Sequence, residues 1–498
     1  MGPFPLQANA SRLLMHLIAA KVRLTMPTAA AIATDTFLAR FQNVRSATLK
    51  LVDPLTPEDL MVQSCPEASP VKWHLAHTSW FFETFILSEF LPSYKVFHPD
   101  FRWLFNSYYN ALGEMPEKKL RASFSRPPLD AILAYRSHVD AAIARLLGNE
   151  ASADLDPEAL RRLALGLEHE QQHQELIATD IKHALFTNPL HPPYLCPETS
   201  PARNNASSQE AIAPAMEWIP FDGGLTQIGI EASSDPSQPF SFDNESPRHT
   251  VYLAPYALAS RLVTCAEYLA FLDDRGYTRP ELWLSEGWST MRAEGWQAPL
   301  YWQRDAATGS GWSVYTLHGM VPLEELSETP VCHLSFFEAD AYARWTSLSQ
   351  PGCRLPTEFE WEHAAAQFQL INREVDGQTQ LLPCPVTESS ADSPAVIPVT
   401  PAHMVETGNL HPTIAPNLSG LQQLFGDVWE WTASGYSGYP GYAPLPGALG
   451  EYNGKFMSSQ VILRGGSCVT PSTHIRATYR NFFSPGTRWQ FSGLRLAK

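Results

Sequence analysis

The chain has 498 residues, 44% hydrophobic, 11% aromatic and 17% charged, a globular composition long enough for two domains. A formal net charge of -16 argues against nucleic acid or an anionic membrane as a main partner. No apolar run is long enough to span a bilayer, and seven cysteines stand singly with no CxxC pair, which fits a reducing, cytoplasmic setting.

Residues 1–35 hold Arg12, Lys21 and Arg23 but no acid before Asp35, and their apolar stretch is broken by His16. They read as a disordered leader, with Met26 as an alternative start, rather than as a secretory signal. From 36 to 188 the pattern is helical. One helix is expected over Phe37–Val52, and a short one follows Thr56 as cap. A third starts after Ser69-Pro70 and runs Val71–Phe90, carrying Trp73, His74, His77, Trp80 and Phe81. An irregular aromatic segment, Tyr94–Gly113, contains Tyr108 and Tyr109, and another helix covers Leu129–Leu147. The next helix has Asp156 as N-cap, Pro157 at the first position and Glu158 at the positive helix start. Together these predict a helical bundle.

That last helix carries the chemistry. His169, Gln172, His173, Leu176 and Asp180 share one face at helical period. Two imidazoles at i and i+4 can converge on one ion, and on a buried face unpaired polar groups are costly. The run His169-Glu170-Gln171-Gln172-His173 also satisfies the zinc-protease pattern H-E-x-x-H, a weak signal when it stands by itself.

Residues 189–215, rich in Pro, Ser, Asn and Ala, read as a linker. From 216 to 498 short strands and turns alternate with a few helices, opened by the capping boxes Thr264/Glu267, Ser335/Glu338 and Thr357/Glu360. Residues 367–407 are weakly patterned and read as an insertion. The fold class expected is a helical bundle followed by a loop-rich α+β domain.

The segments Pro70-Val71-Lys72-Trp73-His74-Leu75-Ala76-His77 and His169–Leu176 resemble the DinB-type helical domain of ergothioneine-pathway sulfoxide synthases, the EgtB family. Phe242-Asp243-Asn244-Glu245, Arg354–Glu358, Trp429–Thr432, Arg464–Ser467 and Arg480–Phe483 resemble the C-type-lectin-like, formylglycine-generating-enzyme-like domain that those enzymes carry. The resemblance implies a non-haem Fe(II) enzyme that uses O2 to join hercynine to cysteine or γ-glutamylcysteine, with a sulfoxide as product. It implies His77, His169 and His173 as iron ligands; on spacing alone His74 competes with His77. The family's C-terminal tyrosine position is Leu449 here, three residues before Tyr452, so the resemblance shifts the proton-donating phenol to Tyr108 or Tyr109. Gln172 resembles the contact to the hercynine imidazole and Asn481 a contact to its other end. Phe482 and Trp431 are candidates for cation–π contact with a trimethylammonium. Phe483 stands where the γ-glutamylcysteine branch has an acid, which favours free cysteine. Arg126 is a candidate clamp for the thiol substrate's carboxylate. A structural Ca(II) in the second domain stays open.

Rival readings follow from the same motifs. Formylglycine-generating chemistry needs a pair of cysteines after the RGGS-like segment, and only Cys468 occurs there. A zinc metallohydrolase has no use for His77 or for the second domain. Ovothiol-type synthases, which attach sulfur at the other ring carbon, usually add a methyltransferase domain that is absent here.

Overall fold

The computed structural model describes residues 29–498 apart from 149–154, 196–211, 234, 236, 237, 305–310, 376, 377 and 386–401. Most of the expected leader and linker lies outside the described residues. The first helix, α1 (Ala29–Lys50), nevertheless begins inside the stretch expected to be a leader.

Four helices form the N-terminal bundle. After α1 comes α2 (Val71–Phe82), every residue of which is buried. It runs on through a π turn at Glu83–Leu87 into Ser88–Phe90, so the expected long helix is present but locally widened and underwound near its end. The expected cap at Thr56 is made: its hydroxyl accepts the Asp59 N–H, and its own N–H donates to the Asp59 carboxylate. Then follow α3 (Leu129–Gly148) and α4 (Pro157–Thr187), the latter started as predicted by Asp156, whose Oδ1 accepts the Glu158 N–H at 2.8 Å. α2 packs on both α3 and α4, and α1 on the same two. Gly166 allows the close approach of α4 to α2, because a Cβ there would lie 2.6 Å from the Phe82 ring.

The C-terminal domain is α+β with several small sheets. β1 (Trp218–Phe221) pairs with β4 (Tyr256–Ala259), and β2 (Gly224–Ile228) with β3 (His249–Leu253), both antiparallel. α5 (Cys265–Asp273) and α6 (Ser285–Ala293) precede a meander of β5 (Trp302–Arg304), β6 (Trp312–Thr316) and β7 (Gly319–Pro322). α7 (Phe336–Ser349) and α8 (Glu358–Ala365) come next, and all three predicted capping boxes are formed, at the starts of α5, α7 and α8. The expected insertion contains a hairpin, β8 (Phe368–Val375) with β9 (Gln378–Pro385).

The central sheet has the order β12-β11-β10-β13, made of β10 (Trp429–Gly435), β11 (Val461–Arg464), β12 (Asn481–Phe483) and β13 (Ser492–Gly493), with β10 and β13 parallel. Much of the motif-bearing polar sequence of this domain is scaffold. Glu358 accepts from Arg464 and Arg480 at 2.8 Å each, and Glu430 accepts from Arg495 and from the Trp361 indole. All of these groups are buried, and their charges are paired.

α4 belongs to both domains. Gln171 donates to Thr473, Glu168 is bound by His474 and Arg476, and Glu175 accepts from Trp429, Ser467 and Thr470. Among the described residues no helix is long and apolar enough to cross a membrane.

Candidate metal centre and active site

α2 and α4 bring His77, His169 and His173 together. One ligand nitrogen from each lies within 4.8 Å of the other two, and all three rings are buried. Burial pushes every one of them below the ordinary histidine range, His169 to about 3, so the rings are neutral near pH 7 and keep a lone pair. The His77 Nδ1–H donates to the Phe105 carbonyl at 2.7 Å, which leaves Nε2 as acceptor; that Nε2 is buried with no hydrogen-bond partner. His173 Nε2 faces His169 Nε2 at 3.1 Å. A buried imidazole nitrogen without a partner, facing two more imidazoles from a second helix, is costly unless a cation lies among them. The set fits a divalent transition metal: three neutral nitrogen donors with coordination positions left open.

His74 is not part of this set. Its Nδ1 lies 2.7 Å from His173 Nδ1, and its Nε2 lies 3.2 Å from the Asp180 carboxylate. Glu170, the residue a metalloprotease would use as base, is on the far side of α4. Burial would raise its pKa, but Arg45 and Arg136 outweigh burial and hold it at about 2. The base that the protease alternative needs is thus engaged with two arginines and turned away from the three histidines.

Aromatic rings frame the histidines. His77 is stacked between Trp73 and Trp80, with ring centroids at 4.4 and 5.3 Å, and Phe81 stacks on His169. Tyr109 is fully buried against Trp80 and Phe85, and Tyr108 stacks on it at 4.6 Å with the two hydroxyls 3.5 Å apart. Burial raises both phenols above their ordinary range, so each carries its proton at neutral pH. The C-terminal domain contributes Tyr452, whose ring lies 5.8 Å from His169 and whose hydroxyl donates to the Gln172 carbonyl oxygen. The Gln172 amide nitrogen donates to the Tyr479 hydroxyl at 2.8 Å, so the amide is held at both ends. Beyond Tyr452 opens a cavity of about 670 Å³, lined by Phe240, Phe242, Leu160 and Leu449 among others.

The remaining predicted residues divide. Asn481 and Phe482 are neighbours in β12 and point to opposite faces of the sheet. Phe482 stacks on Tyr436 at 4.1 Å and reaches Phe456, which packs against Tyr108. Asn481 is in register with Leu463 and, across it, Trp431. Phe483 is half-buried beside Val461. One expectation is corrected. Trp431 is fully buried, its indole N–H donates to the Leu334 carbonyl and its ring packs on Phe336, so it is core and offers no face to a ligand. Arg126 is exposed, whereas Arg121 of the same segment is buried, stacks over Trp73 at 3.4 Å and donates to the Ser69 hydroxyl at 2.8 Å. Burial pushes Arg121 down to about 9. Nothing in the sequence separates Arg121 from its neighbours Lys118 and Lys119; only the fold selects it.

Residues 203–498 match the profile of the sulfatase-modifying factor enzyme 1-like domain, and residues 40–177 that of the DinB superfamily. The chain is 29% identical over 482 residues to a hercynine oxygenase of Mycolicibacterium smegmatis, covering 94% of this chain and 99% of that protein. It is 30% identical over 456 residues to a hercynine oxygenase of Mycobacterium tuberculosis, covering 91% and 96%. It is 25% identical over 263 residues to ergothioneine biosynthesis protein 1 of Schizosaccharomyces pombe, covering 52% and 28%.

Proposed function

The chain belongs to the hercynine oxygenase family, a DinB-type bundle followed by a sulfatase-modifying factor enzyme 1-like domain, and from that premise we propose that it is a non-haem Fe(II) sulfoxide synthase joining hercynine to a cysteine-type thiol. It is an oxygen-using oxidoreductase of ergothioneine biosynthesis. The observation that carries the iron assignment is the convergence of three buried, neutral imidazoles, one with an orphaned Nε2. Overall, hercynine, a thiol and O2 give the C–S bonded sulfoxide and one water, the ring hydrogen and the thiol hydrogen leaving in that water.

His77, His169 and His173 would hold the iron. Bound Fe(II) supplies electron exchange with O2, which zinc cannot, and favours the thiol as its thiolate. Arg121 binds the carboxylate of the thiol substrate. It is a buried cation whose hydrogen bonds among the described residues go to the Ser69 and Ser107 hydroxyls, so an incoming carboxylate gains a charge-assisted partner. Gln172, held by Tyr452 and Tyr479, presents a fixed amide to the hercynine ring. Phe482 offers an aromatic face to the trimethylammonium group, and Asn481 a polar contact at the same end. Tyr108 or Tyr109 delivers the proton that reduced oxygen requires. An apolar Phe483 in place of an acid favours free cysteine over γ-glutamylcysteine. The reaction runs in a reducing, cytoplasmic setting, a reading supported by Cys65, Cys265, Cys332, Cys353 and Cys468, all of them free.

The deciding experiment is anaerobic Fe(II) loading, followed by O2 with hercynine and either cysteine or γ-glutamylcysteine, with products weighed by mass spectrometry. The expected product is the hercynine–cysteine sulfoxide. Oxidised thiol alone, with hercynine untouched, would overturn the proposal.

A further inference from the structure

We propose that Asp180 and His74 form a two-step hydrogen-bond relay that fixes the tautomer and the ring angle of His173, which makes His74 a positioning residue of the metal centre and not a ligand. The inference rests on the reading that the three histidines hold a divalent metal.

Proton placement along the three groups fixes the relay. Asp180 Oδ2 lies 3.2 Å from His74 Nε2 and accepts the Ser69 backbone N–H at 2.8 Å. A carboxylate accepts and does not donate, so the proton between it and His74 belongs to Nε2. Neutral His74 then has its lone pair at Nδ1. That nitrogen faces His173 Nδ1 at 2.7 Å, so the proton there belongs to His173. The lone pair of His173 is thereby left on Nε2, the nitrogen that faces His169. The opposite assignment would put a proton on Nε2 of His173 and remove it from the ligand set.

The relay is also well anchored. Asp180 follows His173 by seven residues on α4, two turns along the same face. His74 comes from α2, and Ser69 stands just before that helix. His74 and Asp180 are both buried, at 2% and 6% exposure, so water does not compete for these bonds. His77 reaches the same outcome more simply, through one bond from Nδ1 to the Phe105 carbonyl. The two devices differ in charge. A backbone carbonyl only orients the ring, whereas the Asp180 carboxylate, acting through His74, also raises the basicity of His173 toward a cation.

The test is metal titration of the full metal-free chain, with Co(II) as spectroscopic probe. His74→Phe keeps the bulk but removes the acceptor, and Co(II) affinity is expected to fall about 10- to 100-fold. His74→Gln restores an acceptor oxygen and is expected to recover affinity to within a few-fold of wild type. Asp180→Asn keeps an acceptor but loses the charge; the expected result is a loss of about 10-fold together with a shifted Co(II) absorption spectrum. Wild-type affinity in His74→Phe, or a His74→Gln variant as weak as His74→Phe, overturns the relay. If His74→Phe does not fold by circular dichroism, Asp180→Asn decides, and unchanged affinity with an unchanged spectrum overturns the proposal. A wild-type chain that binds no Co(II) overturns the metal reading instead.

Discussion

Helix α4 has two buried polar faces a residue apart, and they are built on opposite rules. On the back, each Glu170 oxygen is paired: Oε1 accepts from Thr48 at 2.6 Å and Arg136 at 3.0 Å, and Oε2 accepts from Arg45 at 2.8 Å. Gln174 beside it donates to the Val44 carbonyl and to Thr48. On the front, His77 Nε2 and His169 Nδ1 have no partner, and the Nε2 atoms of His169 and His173 face each other at 3.1 Å. Burial and polarity are common to both faces. What separates scaffold from site is saturation: a completed network has nothing left to bind, whereas converging acceptors without donors still have a free energy to gain from a cation.

The comparison predicts opposite outcomes for neighbouring substitutions. The largest effect belongs to the front face. His169→Ala should abolish Fe(II) retention and cut sulfoxide formation by on the order of a thousand-fold or more. Its metal-free stability should change by less than about 1 kcal/mol, because lost ring packing is offset by removal of a buried nitrogen with no partner. Metal analysis, O2 uptake and calorimetry on one preparation check all three. Glu170→Gln should do the reverse in kind. Breaking this buried network takes from Arg136 its carboxylate partner and leaves Asp140 as the one carboxylate on Arg45 among the described residues, for a loss of about 3–5 kcal/mol. The same carboxylate predicts a pH effect. Its folded pKa, about 2, is below its ordinary 4.5. The stability it contributes is therefore full above pH 4.5 and is lost as pH falls from 4.5 toward 2. Equal destabilisation by the two substitutions would break the contrast.

A smaller effect comes from the phenols. Tyr108→Phe or Tyr109→Phe should leave Fe(II) affinity unchanged while lowering sulfoxide yield about 100-fold, with thiol oxidation taking up the O2. Mass spectrometry of sulfoxide against disulfide separates the two products. Full activity in both variants would shift the proton donor to Tyr452, whose ring lies 5.8 Å from His169.

Those residues were unequally visible in the chain itself. The bundle, the N-cap at Asp156, three capping boxes and the histidine pair are local signals, set by side chains three or four residues apart, and each is present where spacing placed it. His74 against His77 is different. Both sit on α2, and only the approach of α4 decides that one ring meets His169 while the other meets Asp180. Trp431 failed, and Arg121 went unseen beside Arg126, for the same reason. Aromatic and basic residues look alike in sequence whether they face a ligand, a core or water, and the choice rests on strand register and on which side of a turn is covered. The π turn at Glu83–Leu87 had no local sign, since Glu83 earns its burial from the distant Tyr135 and the Tyr94 hydroxyl.

The smallest effect lies further along α4, at Lys182, which fits neither face. It is 1% exposed, and among the described residues it forms no ion pair with a carboxylate. Its ammonium donates to His333 Nε2 at 2.7 Å and lies 4.8 Å from the ring centroids of Tyr301 and Phe491. The neutral partners are incomplete compensation, since burial lowers the lysine to about 8 from its ordinary 10.5. Between those values the unfolded chain binds more protons than the folded one, so wild-type stability rises with pH across that window. Lys182→Met removes the buried charge at the cost of leaving His333 Nε2 unpaired, for a net gain of about 1 kcal/mol at pH 7. That gain should shrink from pH 8 upward, cross zero near about pH 9 and reverse above it, because the wild type recovers about 1.4 kcal/mol per pH unit between its folded and unfolded pKa, and thermal midpoints of both chains at pH 7 and pH 10 measure it. If the two chains melt together at pH 7, one imidazole and two aromatic faces are enough to saturate a buried cation. The rule drawn from the two faces of α4 would then have to count ring contacts alongside hydrogen bonds.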